Sequence, residues 1–259
     1  MTEGSTMQRI ATFAFAGLLG AATPAAAQEL QDRWTGALTI YGWLPAADGD
    51  VTANSTGQTA GFSFDQSDLL DALKFAAFAT LSLQRDRWGI LIDGIYTSLG
   101  NTRHLPGPGD ASVEGDVEMR LLTGLGAYQV YRSGGGFFVD ALAGFRLNSI
   151  EVDISTQRSF PRPIGRDASG SATWVDPLVG LRVGAALTDK LAFRAVADAG
   201  GFGVGSNFTW EVFAALTYEV APRINLALGY RYLSIDYDTG RTTIDMRLHG
   251  PTFGVAIGF

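Results

Sequence analysis

The sequence predicts an all-β fold, a transmembrane antiparallel barrel of about ten strands, and three observations carry that prediction. Segments of ten or more residues alternate apolar and polar side chains from Arg33 to the C-terminus, the period-2 signature of a strand with two unlike faces. The connections between these segments alternate strictly between short and long. After residue 27, no apolar run is long enough to cross a bilayer as a helix, so any crossing is made by strands.

The first element is not part of the fold. Arg9 precedes an apolar run from Ile10 to Leu19, and Ala25-Ala26-Ala27 offers a small-x-small cleavage site before Gln28. This is the pattern of an export signal, so residues 1–27 are expected to be removed after Sec-dependent export, leaving a barrel domain over 28–259. Met7 is an alternative start, because Glu3 places an acid where a signal carries positive charge.

Ten strands are expected, at 33–45, 74–85, 87–99, 116–131, 136–149, 172–187, 190–200, 207–220, 223–237 and 244–259. The clearest is 207–220. One face holds Phe208, Trp210, Val212, Ala214, Leu216, Tyr218 and Val220, and the other Asn207, Thr209, Glu211, Phe213, Ala215, Thr217 and Glu219. In 223–237, Ile224, Leu226, Leu228, Tyr230 and Tyr232 alternate with Asn225, Ala227, Gly229 and Arg231. The short connections are 84–88, 131–137, 187–191 and 219–224, and the long ones 45–73, 100–115, 156–171, 201–206 and 238–243. Membrane barrels pair short periplasmic turns with longer outer loops, which puts both termini in the periplasm. Twelve strands remain the alternative if 50–55 and 59–64 form a further hairpin across the wall. One helix is expected at 67–73, capped by Ser67.

A soluble sandwich would alternate too, with its apolar face turned inward. Against it stand strands longer than the five or six residues usual in soluble sheets and aromatics gathered toward strand ends, among them Trp34, Phe75, Trp88, Tyr96, Phe137, Phe208 and Trp210. The polar face also pairs small residues with arginine and carboxylate. At the C-terminus, Phe253, Val255, Ile257 and Phe259 alternate with Thr252, Gly254, Ala256 and Gly258. A last strand ending on an aromatic resembles the assembly signal of outer-membrane barrels, and Phe259 is assigned that role.

Composition limits the chemistry. The chain has no cysteine, hence no disulfide, thiolate metal site or thiol nucleophile. Net charge is −7 with scattered basic residues, which argues against nucleic acid. The two histidines are His104, in a loop with Asp110 and Ser112, and His249 beside Gly250-Pro251; neither is expected to be catalytic. Gly201-Phe202-Gly203-Val204-Gly205 has no helix behind it to bind phosphate, and Asp236-x-Asp238-x-Gly240 lacks the remaining ligands of a calcium loop. No cofactor, metal or enzymatic activity is expected.

Strand parity directs Asp93, Glu118, Arg120, Asp140, Arg146, Asp176, Arg182, Arg194, Asp198, Glu211 and Arg231 into the lumen. Charges so placed need partners, and arginine can bridge two carboxylates without losing its proton. One connected network closing the pore is expected. About ten strands leave little more than side-chain room, where sixteen or more enclose a channel.

The stretches Trp174-Val175-Asp176-Pro177-Leu178-Val179-Gly180-Leu181-Arg182, Leu187-Thr188-Asp189, Asp198-Ala199-Gly200-Gly201-Phe202-Gly203-Val204-Gly205-Ser206, Leu228-Gly229-Tyr230-Arg231-Tyr232-Leu233, Asp236-Tyr237-Asp238 and Gly250-Pro251, with 65–75 upstream, carry a family resemblance. The chain resembles a family of proteobacterial outer-membrane β-barrels, most without assigned activity. The resemblance implies location in a Gram-negative outer membrane and barrel architecture, and it brings no catalytic residues. The expected role is a structural or surface-exposed barrel with a closed or very narrow lumen. A narrow porin-like channel for small solutes is the alternative, and a rim hydrolase acting on lipid is third. Expected partners are outer-membrane lipid and lipopolysaccharide, with the barrel-assembly machinery during biogenesis.

Overall fold

A computed structural model describes residues 33–105, 111–158 and 164–259; the expected cleavage after Ala27 lies outside them. The persistent alternation keeps the backbone extended nearly throughout. The elements are β1 (Thr35–Trp43), β2 (Ala46–Ala53), β3 (Gln58–Phe64), α1 (Gln66–Asp71), β4 (Leu73–Arg85), β5 (Trp88–Leu105), β6 (Ala111–Arg132), β7 (Phe138–Arg158), β8 (Ile164–Ala186), β9 (Leu191–Gly200), β10 (Phe208–Ala221), β11 (Ile224–Asp238) and β12 (Thr242–Gly258).

Ten of the strands form a closed ring. From β4 to β12 each pairs antiparallel with the next, β1 pairs with β4, and β1 also pairs with β12 to shut the ring. Following facing residues from Ala37 through Ser82, Leu91, Leu125, Gly144, Leu178, Gly200, Thr209 and Ile235 arrives at Met246, yet Ala37 itself faces Gly258. The closure is thus staggered by the twelve residues between 246 and 258. Such a stagger over ten strands tilts them by about 40°.

The remaining hairpin explains why ten and twelve were both legible. β2 carries on the line of β1 past Leu44 and Pro45 and pairs with the outer half of β12, while β3 folds back on β2. It stands on the rim above β1 and does not widen the ring. The helix begins at Gln66, two residues after β3, and its cap is Asp65, not Ser67. Asp65 accepts from the Asp68 amide and the Ser67 hydroxyl, and these bonds, the Ser67 one first, hold its carboxyl below the usual carboxylate range.

Strands β5 to β8 extend beyond the expected spans, to Leu105, Ala111, Arg158 and Ile164. Much of the long connections 100–115 and 156–171 is therefore sheet. These extensions carry Thr102, Glu114, Asp116, Asp153 and Ser169 where the spanning portions carry apolar residues, so the period-2 signal fades although pairing continues.

The two faces of the wall differ as a membrane barrel requires. Ile40, Val179, Leu216 and Leu228 point outward, with Ile40 62% and Leu228 65% exposed, while their neighbours Thr39, Leu178, Ala215 and Thr217 are buried. Aromatics edge this apolar band at both ends. Near the short turns lie Trp88 against Tyr128, with ring centroids 4.8 Å apart, and Tyr131 against Phe137 at 6.0 Å. Near the other end lie Trp210 stacked on Tyr232 at 4.8 Å and Phe75 beside Tyr96 at 5.8 Å. From Trp210 to Tyr218, eight residues at ~3.3 Å and ~40° tilt span about 20 Å, close to the apolar height of outer-membrane barrels.

Phe259 finishes the seam. Its amide donates to the Gly36 carbonyl at 2.9 Å, and the Gly36 amide donates back at 3.0 Å. The ring lies over Gly36, where an added Cβ would come within 2.4 Å of it.

Candidate functional site

The lumen is the candidate site, and strand parity fills it. On β9 the inward row reads Ala192, Arg194, Val196, Asp198; on β7 Asp140, Leu142, Gly144, Arg146, Asn148; on β8 Trp174, Asp176, Leu178, Gly180, Arg182. In each row an apolar or glycine step separates charges near the short turns from charges nearer the long loops. The interior is layered for that reason.

The central layer is an ionic network. Arg146 donates from Nη2 to Glu211 Oε2 at 2.7 Å and to Asp198 Oδ1 at 3.2 Å, and from Nε to the Thr123 hydroxyl at 3.1 Å. Glu211 turns its other oxygen to Arg231, whose Nε lies 3.2 Å away without hydrogen-bond alignment. Arg231 then donates to Asp93 Oδ1 at 3.1 Å and to the Tyr41 hydroxyl at 2.8 Å. Asp93 Oδ2 accepts from Tyr41 at 2.8 Å and from Thr80 at 2.6 Å. Arg146 is 1% exposed. Two guanidiniums thus serve three carboxylates, and the hydroxyls of Tyr41 and Thr80 add donors at Asp93, the kind of support that buried ions require.

Asp176 stands apart, held by neutral donors. Its Oδ2 accepts from Asn148 at 2.9 Å and from the Trp174 indole at 3.0 Å, and its Oδ1 accepts the amide and hydroxyl of Ser206, both at 2.6 Å. Ser206 is buried, so the β9–β10 connection is drawn down onto the barrel. Gly201, with φ of 80°, makes the turn that allows it. Toward the long-loop end, Trp43, Phe78, Ile95, Leu121, Trp174, Leu233, Ile235 and Leu248 form an apolar core, with Trp174 stacked on Tyr237 at 3.9 Å.

Toward the short turns, a cluster of Leu91, Leu125, Ala127, Leu142, Leu178 and Val196 intervenes. Below it Arg182 donates to Asp140 Oδ2 at 2.7 Å and to the Gln84 side chain at 3.1 Å. Arg194 lies beside this pair, its guanidinium 4.7 Å from the Phe138 ring centroid.

Of the eleven residues assigned to the lumen by parity, nine are buried there. Glu118 and Arg120 are not. They lie on the outer face of β6, where Arg120 pairs with Glu118 at 2.6 Å and Glu151 at 3.2 Å. The inward row of β6 is Leu121, Thr123, Leu125 and Ala127, and Arg120 has the opposite parity. A second correction concerns connectivity. The nine form three groups, separated by the leucine cluster and by the neutral shell of Asp176.

Sequence reasoning omitted the neutral partners. Tyr41 and Thr80 lie on the inward rows of β1 and β4, and parity would have found them; Ser206 sits in a connection, where no periodicity speaks. His249 faces outward, its Nδ1 2.8 Å from the Tyr230 hydroxyl and its Nε2 3.6 Å from Asp48. His104 belongs to β5 and faces Ser112 of β6 in register, so this pair is strand, not loop; Asp110 lies outside the described residues. Among the described residues no cluster of histidine, cysteine and carboxylates is placed to hold a metal.

No family model matches the sequence, and no curated protein matches it. Solved structures do resemble the fold. The outer membrane protease OmpT from Escherichia coli superposes with a TM-score of 0.62 at 11% identity, over 91% of this chain and 100% of that one. The translocator domain of the autotransporter NalP from Neisseria meningitidis gives 0.45 at 12% identity, over 88% and 89%. The attachment invasion locus protein Ail of Yersinia pestis gives 0.32 at 12%, over 88% and 100%. At 11% identity the likeness to OmpT is one of fold, that of a Gram-negative outer-membrane β-barrel.

Proposed function

We propose that the chain is an outer-membrane barrel whose lumen is shut by its own side chains and whose role is structural or carried on its outer surface. The observation behind this reading is the stacked interior: the Arg182 pair, the leucine cluster, the network joining Arg146, Glu211 and Arg231, and the aromatic core at the far end. A solute would have to displace each in turn. Outer-membrane lipid and lipopolysaccharide are then its partners along the apolar band, and the assembly machinery meets the strand that ends on Phe259.

A narrow channel is the second reading. It rests on a small cavity lined by Thr39, Thr80, Phe213, Ala227, Thr252 and Gly254 beneath Tyr41 and Arg231, in the half of the barrel near the short turns. Liposome swelling separates the two readings. Proteoliposomes diluted into small sugars should swell no faster than empty liposomes; rapid swelling would establish the channel. OmpT is a protease, and the fold alone does not carry that activity over. The rim-hydrolase reading is tested by assaying the purified protein for release of fatty acid from phospholipid, with none expected.

A further inference from the structure

We propose that Arg194, with Arg182 beside it, holds a small phosphate-class oxyanion in the half of the lumen near the short turns. The inference starts from an imbalance. In the central network each arginine touches two carboxylates. Near the short turns two guanidiniums share the Phe138 ring, at 4.7 and 5.7 Å from its centroid, and have one carboxylate beside them: Asp140 gives Oδ2 to Arg182, and its Oδ1 is buried without a hydrogen-bond partner among the described residues. Arg194 is 3% exposed, and its Nε has no hydrogen-bond partner among the described residues. Two buried guanidiniums beside a single carboxylate leave one positive charge unbalanced, which is costly away from water.

Two more unpaired side-chain atoms lie on the lumen wall in the half near the short turns. Asn225 Nδ2 and Thr39 Oγ1 are buried and also lack partners. They face Ala256 from either side in one row across β11, β12 and β1. Gly184 makes room on β8: a Cβ there would come within 2.1 Å of Arg194 Nη1 and 2.4 Å of the Phe138 ring. The guanidinium is thus seated against bare backbone with the ring across it, which fixes the plane of its donor fork. A planar fork of N–H donors matches phosphate oxygens, and the anion would balance the positive charge that the single carboxylate leaves over.

The test uses the full mature chain, refolded in a neutral detergent, with its thermal midpoint followed by tryptophan fluorescence. Inorganic phosphate is titrated against sodium chloride at matched ionic strength, with glycerol 3-phosphate in parallel as a lipid-headgroup analogue. The midpoint should rise saturably with phosphate by several degrees beyond chloride, about what ligand at a hundred times its Kd gives a domain of this size. A response to phosphate alone assigns a free anion; a response to both assigns a headgroup. Arg194→Gln should abolish the shift, and Arg120→Gln, on the outer face, should keep it. If Arg194→Gln does not refold, ³¹P line broadening of phosphate by the wild-type chain decides. A midpoint that follows ionic strength alone, an unchanged response in Arg194→Gln, or absent broadening would each overturn the proposal. None of these readouts depends on whether the lumen conducts.

Discussion

Arg146 and Glu211 meet across the lumen from strands three steps apart in the ring, with Nη2 2.7 Å from Oε2 and both side chains buried. Their contact ties β7 to β10 through the interior, and the second oxygen of Glu211 extends the tie to Arg231 on β11. Glu211→Ala should therefore leave two guanidiniums short of a carboxylate and cost about 3–5 kcal/mol, less where lumen water reaches them. The urea midpoint of the folded band, resolved from the unfolded one on unboiled gels, measures this. A midpoint equal to wild type would show that the contact contributes nothing.

Asp176→Ala removes the acceptor of four buried donors, two of them on Ser206. The β9–β10 connection should loosen while the ring persists. Amide exchange at Ser206 is expected to accelerate at least about tenfold, the change that ~1.4 kcal/mol produces. Unchanged protection at Ser206 would mean that other contacts hold the connection down.

The lipid and lumen faces of β11 are distinguished by neighbouring residues. Leu228→Arg should cost about 2–4 kcal/mol in a bilayer, and Ala227→Ser little. Equal tolerance at the two positions, measured by reversible unfolding into vesicles, would reverse the assignment of faces.

At the seam, Gly36→Val sets a branched side chain where the Phe259 ring lies, and deleting Phe259 removes both backbone bonds to Gly36. Both variants should lower the yield of assembled barrel in cells, the deletion more. Wild-type yield from the deletion would remove Phe259 from any role in assembly.

The fold was largely legible because a membrane barrel repeats one simple rule. Leu216, Leu228 and Ile257 lie outward, and Thr217, Arg231 and Ala256 inward, as alternation alone implies. The rule loses its hold above the membrane, where both faces turn polar. There Arg120 and Glu118 took the wrong side, and the outer thirds of β5 to β8 read as loop. Parity also says which way a charge points without saying which partner it meets. Pairing Glu211 with Arg146 depends on the stagger of the whole ring, a quantity that no single strand carries. The separation of the lower charges from the central network could be seen only in part, as Val196 between Arg194 and Asp198 and Leu142 between Asp140 and Arg146.

Single-channel recording tests the closed lumen most directly. Purified wild-type protein, inserted into a planar bilayer in molar potassium chloride, should show no steady conductance step, while Arg231→Ala, which removes the link between Glu211 and Asp93, should leak intermittently. Uniform, long-lived ohmic steps from the wild type, unaltered in Arg231→Ala, would contradict the account and make the barrel a channel.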